Sequence, residues 1–320
     1  MKHLRVLVAM GRDQEAAILP PDLRARLAAC TAPAGSLADA HVLVTGWGTS
    51  LVLDGPTLAD APRLRALVHA GGSVKHVITP AVWQRGLTVS SAAAANAGPV
   101  AEFTFAQITL ALKRALGATA GYRAGHWPTF REREGADGRT VGVLGASRIG
   151  RRVVSRLRAS DASYRVLVHD PYLPAAEAAR MGVELVDIHT LCTTSSVLTL
   201  HAPELPETRH LLNAERLALL PDGGVVINTA RGSLIDTDAL VRECASGRLD
   251  AFLDVTDPEP LPVGHPLFSL PNVFLTPHIA GSQGSEVRRL GVFAVDEVGR
   301  LARGEPLVGA VRQEELAHMA

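Results

Sequence analysis

Between Leu4 and Ser90 the chain alternates short, almost wholly apolar runs with stretches whose apolar positions recur at helical spacing. Leu4–Ala9, Val42–Thr45, Ala66–His69 and Leu87–Ser90 are too short for helices and rich in Val and Leu, so each reads as a buried strand. Helices fit between them, beginning near Pro21-Asp22, Thr57-Leu58 and Thr79-Pro80, where Asp or Thr can cap and Pro suits a first turn. Alternation at this density predicts an α/β fold, a parallel sheet with helices on both faces.

Val100–Leu116 continues as a long helical pattern of Ala and Leu, with Gly117 placed to end it. Tyr122–Arg139 is polar and rich in turn residues. A second alternating block follows, with strands predicted at Thr140–Leu144, Arg165–His169, Val197–Leu200, Gly224–Asn228, Asp250–Val255 and Val273–Leu275. Ile149–Arg158 and Asp238–Cys244 fit helices between them, and a final helix covers Glu286–Arg303. Neither a solenoid-type repeat nor a low-complexity segment interrupts the pattern.

A length of 320 residues points to two domains, and 47% hydrophobic content can fill both cores. Lys+Arg and Asp+Glu stand at 32 each, a balance that argues against a dedicated nucleic-acid binder. Lysine occurs only at Lys2, Lys75 and Lys113; the arginines are scattered and read as composition bias more than function. The apolar start is broken by Gly11-Arg12-Asp13, which suits a buried strand better than a signal-peptide core. Ser90–Ala120 contains Asn96, Glu102, Gln107, Lys113 and Arg114, all costly in lipid, so no membrane span is expected. Cys30, Cys192 and Cys244 form no CxxC pair, which argues against disulfides and structural zinc and makes a cytoplasmic location the expectation. Histidines in HExxH or paired spacing are absent, and no metal is assigned.

Candidate chemistry begins at Val141–Gly150, VGVLGASRIG, which follows a strand and opens a helix. Gly145 to Gly150 matches the dinucleotide pattern G-x-G-x-x-G with Ser147 at the second glycine. In that pattern the first glycine makes the tight turn and the third lets helix and strand pack closely. The second gives the pyrophosphate room at the helix N-terminus. Gly145, Ser147, Arg148 and Ile149 are therefore candidate cofactor contacts, with the Ser147 hydroxyl placed to donate to a phosphate oxygen. Asp170 ends the next strand, 20 residues beyond Gly150, at the spacing of a ribose-binding acid. A carboxylate there repels a 2′-phosphate, and Pro171-Tyr172 supplies no base to receive one, so NAD is favoured over NADP. A plain turn residue before Pro171 is the other reading of Asp170.

Three further segments end strands of the second block: INTARGSLIDTDAL (Ile227–Leu240), DVTDPEPLP (Asp254–Pro262) and LTPHIAGS (Leu275–Ser282). With the fingerprint, and with ANAGPVAEFT (Ala95–Thr104) and LHAPELPETRHLLN (Leu200–Asn213), the chain resembles the D-isomer-specific 2-hydroxyacid dehydrogenase family over nearly its whole length. The resemblance implies two Rossmann-like/flavodoxin-like doubly wound parallel-sheet domains with a cleft between them. Residues 1–98 plus 285–320 would form a discontinuous substrate-binding (catalytic) domain, and 99–284 the NAD-binding domain. It further implies hydride transfer between NAD and C2 of a small 2-hydroxy or 2-keto acid, by a homodimer using the Val100–Leu116 helix and the Tyr122–Phe130 loop.

The same resemblance assigns roles to single residues. Arg231 matches the arginine that holds the substrate carboxylate, for which a planar guanidinium fork is suited. His278 matches the acid/base, and Glu259 the carboxylate that orients its imidazole. Glu259 also separates the chain from the formate-specific branch, where Gln pairs with the histidine. Asp254, Thr229 and Ala230 match positions along the nicotinamide, and Gly281 belongs to the same cofactor side. His201, Ala202 and Pro203 match the cofactor-side turn. Thr208 lies in the matching polar loop, where a capping role is the alternative. Gly72, Ser73 and Val74, in AGGSVKHV, fall where the family binds substrate carboxylate through backbone N–H groups, though the sequence there departs from the commoner Gly-Ala-Gly-hydrophobic-Asp form. Asn96 matches an asparagine of the loop entering the long helix, and Lys75 and His76 read either as a solvated loop pair or as a positive rim for an acidic or phosphorylated substrate tail.

Other dehydrogenase classes fit less well. A short-chain enzyme needs Tyr-x-x-x-Lys, and none of Tyr122, Tyr164 and Tyr172 has Lys four residues on. An L-lactate or malate dehydrogenase would carry its fingerprint near the N-terminus. The rival from another class is an NAD(H)-responsive binding protein, corepressor-like, with the same fold and no significant turnover.

Overall fold

The structure, a computed structural model, describes residues 4–318. Met1–His3 and the last two residues of the first expected domain lie outside the described residues. The chain divides into two compact units, one made of the residues up to Ala97 and from Ser282 on, the other of Gly98–Gly281. Strands of the first unit are β1 (Leu4–Ala9), β2 (Thr31–Pro33), β3 (Val42–Gly46), β4 (Ala66–Ala70) and β5 (Thr88–Ser91). The second unit supplies β6 (Thr140–Leu144), β7 (Arg165–His169), β8 (Glu184–Leu185), β9 (Val197–Leu200), β10 (Val225–Asn228), β11 (Asp250–Leu253) and β12 (Val273–Leu275). The chain then returns to the first unit for the helix Arg288–Arg303 and β13 (Ala310–Val311).

In the first unit the sheet order is β13-β5-β4-β3-β1-β2, parallel except where β13 runs antiparallel to β5. Alternation along each strand feeds two apolar layers. Val6, Val42, Ala66 and Val68 pack on one face with Leu290, Ala294 and Val298 of the returning helix. Leu43, Leu67 and Val89 pack on the other face against Leu58, Val77 and Val82. At the β13 edge, the buried Glu297 carboxylate accepts from Ser90 Oγ at 2.5 Å, Val308 N at 2.9 Å and Gly309 N at 3.1 Å. Gly291 lies so close to the first segment that a Cβ would sit 1.7 Å from the Ile18 carbonyl oxygen.

The second unit is a seven-stranded, all-parallel sheet of order β12-β11-β10-β9-β6-β7-β8, also covered on both faces. From β6 the chain builds outward through β7 and β8, then starts again on the other side with β9. The reversal leaves a crevice at the carboxyl ends of β6 and β9, where open α/β sheets place ligands. Both units are thus doubly wound α/β domains.

The long helix departs from expectation. It runs Ala93–Leu112 and a second helix covers Ala115–Arg123, so the break falls at Arg114 and not at Gly117. Arg114 is left-handed at φ 52°, and its guanidinium meets Glu134 at 3.2 Å and Asp250 at 3.5 Å. Those ion pairs fix a turn that no glycine announces. Among the described residues no helix is long and apolar enough to cross a membrane, no group of His, Cys, Asp and Glu is arranged to hold a metal, and the three cysteines are free.

Candidate active site

The fingerprint turn follows β6 directly. Gly145 has φ +99°, and a Cβ there would lie 2.6 Å from Ala202 N and 2.8 Å from the His201 carbonyl carbon. The positive φ and the close approach of the β9 turn each require glycine. At Gly150 a Cβ would sit 2.1 Å from the Gly145 carbonyl oxygen, so the helix Arg148–Arg158 rests on the turn that precedes it. Ser147 is the N-cap of that helix, its Oγ accepting from Gly150 N at 3.3 Å. No acidic side chain occupies the first turn, and the N–H groups of Arg148 and Ile149 are orphan donors of a helix start. A cradle that a Cβ would fill, at the positive end of a helix, fits a dinucleotide pyrophosphate.

Asp170, just past β7, braces this turn. Its carboxylate accepts from Ala146 N at 2.7 Å and from Tyr172 N at 2.8 Å. The sequence suggested a turn residue or a ribose acid; the turn contacts are present, and they hold the carboxylate beside the fingerprint.

His201 directly follows β9 and is almost wholly buried, with Nε2 3.0 Å from Thr199 Oγ1. Its Nδ1 has no hydrogen-bond partner among the described residues, and burial pushes its pKa down to about 3, so the ring is neutral. Ala202 is buried beside it. Thr208 donates to the Pro203 carbonyl at 2.7 Å and accepts from Leu205 N at 2.9 Å, which is the bracing alternative for this residue.

After β10 the chain turns sharply at Thr229-Ala230-Arg231. Asn228, fully buried, shapes the turn: its Oδ1 accepts from Ala230 N at 3.0 Å and its Nδ2 donates to the Arg231 carbonyl at 2.8 Å. Thr229 Oγ1 lies 2.7 Å from Thr104 Oγ1, which itself donates to the Val100 carbonyl. Arg231 is half-buried, donates to the Ala230 carbonyl at 2.6 Å, and has no carboxylate partner among the described residues. A Cβ at Gly232 would fall 2.0 Å from the Thr256 carbonyl, so only glycine lets the Asp254–Pro262 segment pass. Sequence reasoning missed the roles of Asn228, Thr104 and Gly232, although all three stand inside motifs it singled out.

Asp254, buried at the end of β11, organises the remaining segment. Its carboxylate accepts from Thr276 Oγ1 at 2.6 Å, Ile279 N at 2.8 Å and Ala280 N at 2.8 Å, and its carbonyl accepts from His278 N at 2.9 Å. Held this way, His278 adopts φ +54°, a left-handed conformation uncommon for a side-chain-bearing residue. Its Nδ1 meets Glu259 Oε1 at 2.6 Å. The carboxylate fixes the proton on Nδ1 and leaves Nε2, which has no partner among the described residues, as the exchangeable position. Glu259 is carried by a loop pinned where Thr237 Oγ1 donates to the Asp257 carbonyl at 2.7 Å and Arg209 pairs with Asp257 at 3.1 Å. Asp254, Glu259 and His278 are thus brought into one network, whereas Arg231 joins neither Glu259 nor His278 by a hydrogen bond or ion pair. Gly281 follows Ala280 at the end of the unit.

The remaining candidates belong to the first unit. Gly72 is half-buried, and a Cβ there would lie 3.6 Å from Asn96 Nδ2. Asn96 Oδ1 in turn accepts from Ser282 N at 2.8 Å. Ser73 Oγ accepts from Lys75 N at 3.5 Å. The Val74 side chain is fully buried, so that residue offers a ligand only its backbone.

Residues 105–280 match the family described as D-isomer specific 2-hydroxyacid dehydrogenase, NAD binding domain. A D-3-phosphoglycerate dehydrogenase from Methanocaldococcus jannaschii is 36% identical over 271 residues, 83% of this chain and 51% of that protein. The chain therefore spans about half the length of the first curated relatives it matches. A glyoxylate reductase from Thermofilum pendens is 32% identical over 82% of this chain and 79% of its own. Among solved structures, a D-lactate dehydrogenase from Aquifex aeolicus, complexed with NAD and lactic acid, is 25% identical with a TM-score of 0.73, covering 94% of this chain and 96% of that one. A nucleotide cradle at the β6/β9 reversal and a histidine–carboxylate pair beyond β11 lie within the segment that carries the family match, and the chain belongs to the D-isomer specific 2-hydroxyacid dehydrogenase family.

Proposed function

We propose that the chain is an NAD-dependent D-2-hydroxyacid dehydrogenase, or 2-ketoacid reductase. The observation that carries this reading is the His278–Glu259 pair at 2.6 Å, with Nε2 left unpartnered among the described residues. NAD, when bound, supplies the acceptor or donor of the hydride at C2. His278 takes the hydroxyl proton at Nε2 during oxidation and returns it to the carbonyl oxygen during reduction. Glu259 holds the Nδ1 proton, fixing the tautomer and stabilising the imidazolium. Arg231, without a carboxylate of its own, binds the substrate carboxylate and polarises the C2 oxygen. Gly72, Ser73 and Val74 offer backbone N–H groups to the same class of anion.

On the cofactor side, the Gly145–Gly150 turn and the helix start at Arg148 hold the pyrophosphate, and Asp170 favours NAD by repelling a 2′-phosphate. His201, Ala202, Pro203, Thr208, Thr229, Ala230, Asp254 and Gly281 line the rest of the cofactor's path, with Thr208 acting through the loop it braces. The unit Gly98–Gly281 serves as the NAD-binding domain and the discontinuous unit as the substrate-binding domain. The protein acts as a cytoplasmic homodimer. Support for the dimer comes from the exposed aromatics Tyr122, Trp127 and Phe130, a patch of the kind that marks an association surface. Sedimentation showing a monomer at micromolar concentration would overturn that part.

NADH oxidation measured with a panel of 2-keto acids, including glyoxylate, hydroxypyruvate, branched and phosphorylated members, tests the activity. The expected result is turnover with at least one acid, abolished by His278→Ala while NADH binding is nearly unchanged. Firm NADH binding without turnover of any acid favours the corepressor-like reading instead. Wild-type turnover in His278→Ala removes that residue from the chemistry.

A further inference from the structure

At the amino ends of its strands the first unit gathers cationic side chains that are far apart in sequence. The parallel register sets Val6 beside Val42 and Val42 beside Ala66, so the preceding residues, Arg5, His41 and Arg65, stand abreast. They share the face of Leu7, Leu43 and Leu67, two positions further on. With strands ~4.8 Å apart, the three side chains form a row about 10 Å long. Arg63 and Arg85 join them from the loops before β4 and β5. Together they line a cavity of about 760 Å³, within the size range of small-molecule sites.

The row is nearly without counter-charge. Arg5 pairs with Asp39 at 3.3 Å. Arg85 donates to the carbonyls of Leu58 and Ala61 and keeps its full charge. Arg63 and Arg65 have no ion pair or side-chain hydrogen bond among the described residues. His41 accepts at Nδ1 from Arg5 N at 3.0 Å, which places its proton on Nε2 and makes the ring another donor. Burial, then the charges of Arg65, Arg63 and Arg5, hold its pKa below the usual histidine value. Among the described residues no carboxylate, thiol or hydroxyl side chain lines the cavity, which suits it to hold an anion and not to transform one.

We infer that this cavity is a binding site for a small, multiply charged, phosphate-bearing anion. Guanidinium forks match phosphate oxygens in pairs, and every polar side chain facing the cavity is a donor. The site is separate from the Gly72–Val74 loop, which follows the carboxyl end of β4. Arg65 and Gly71 bracket that strand, and six residues of extended chain place them ~20 Å apart. A ligand here therefore acts as an effector or anchor of the first unit, not as the substrate.

Isothermal titration of the whole protein with inorganic pyrophosphate, in saturating NADH so that the Gly145–Gly150 cradle is filled and at constant ionic strength set by chloride, tests the inference. The comparison is with the double variant Arg63→Ser/Arg65→Ser, whose lost side chains make no ion pair or side-chain hydrogen bond among the described residues. A control variant, Arg242→Ser, removes an exposed arginine of the other unit. Wild type and control are expected to bind pyrophosphate alike, and the double variant at least tenfold more weakly, with NADH affinity equal in all three. Equal pyrophosphate affinity in the double variant would place that anion elsewhere and overturn the site. So would the absence of any binding beyond the chloride control. A single-stranded oligonucleotide that binds while pyrophosphate does not would make the row a nucleic-acid surface and overturn the small-anion reading.

Discussion

His201 makes the second unit acid-sensitive, by an amount that follows from its burial. The free imidazole titrates near 6.5, whereas the buried ring is held down to about 3. Above pH 6.5 both folded and unfolded chains carry the neutral ring, and the stability is fully present. As pH falls below 6.5 the unfolded chain takes up a proton that the folded chain refuses, and stability declines until the folded value is passed. At 1.36 kcal/mol per pH unit, the loss between pH 7 and pH 5 is about 2 kcal/mol. It is insensitive to the folded value so long as that lies well below 5. The perturbation is His201→Gln, which keeps a polar group near Thr199 Oγ1 and removes the titration. Urea unfolding followed at 222 nm, at both pH values, gives four stabilities whose double difference isolates this histidine from every other titrating group, including buried His69. The expected double difference is about 2 kcal/mol, the variant losing less on acidification. A difference near zero would mean that the folded protein admits a proton at position 201, and would refute the burial argument.

Two glycines should respond oppositely to alanine. Gly150→Ala drives a Cβ to 2.1 Å from a backbone oxygen, and a loss of about 2 kcal/mol or more, with weakened NADH binding, is expected from such overpacking. Gly117→Ala, inside the helix Ala115–Arg123 with nothing within 4 Å, should gain about 0.5–1 kcal/mol; thermal melts of the pair check both signs. Asp254→Asn leaves one backbone N–H of the Ile279-Ala280 segment facing an amide NH₂. A loss of about 1–3 kcal/mol and a fall in kcat larger than any rise in KM are expected; wild-type kcat would show that Asp254 does not position His278. Ser147→Gly removes a helix cap at a cost of only a few tenths of a kcal/mol. NADH affinity should not improve, and a marked gain by fluorescence titration would show that the serine merely obstructs.

Elements that form from their own residues were legible in the sequence. β3, β4, β6 and β9 are short apolar runs buried on both faces, and the fingerprint announces its turn through two glycines that the backbone requires. Elements imposed from outside were not. β2, β8 and β13 have two or three residues and little apolar signal, and they exist because a neighbouring strand offers a free edge. The break at Arg114 is set by Glu134 and Asp250, the second of which lies far along the chain. Within the candidate site, residue identities could be read from motifs. The contacts that hold them could not, because Asp254 acts on a loop beyond the next strand and Asn228 acts on its own turn through a geometry that composition does not reveal. The arginines show the same limit: Arg5, Arg63, Arg65 and Arg85, scattered along the sequence, converge only once β1, β3, β4 and β5 are set side by side.

The return of the chain to its first unit sets an order of completion during synthesis. β5 has its outer neighbour, and the Val6–Val68 layer its covering helix, only when residues after Ser282 have emerged. Until then the first unit presents an open strand edge and an uncovered apolar face, while the second unit already has every strand it needs. On the ribosome the nucleotide-binding half therefore matures first, although its sequence begins later. The segment around Gly291 and Glu297 acts as the clasp that finishes the earlier half, so a chain interrupted just before it would keep one folded domain and expose another to aggregation.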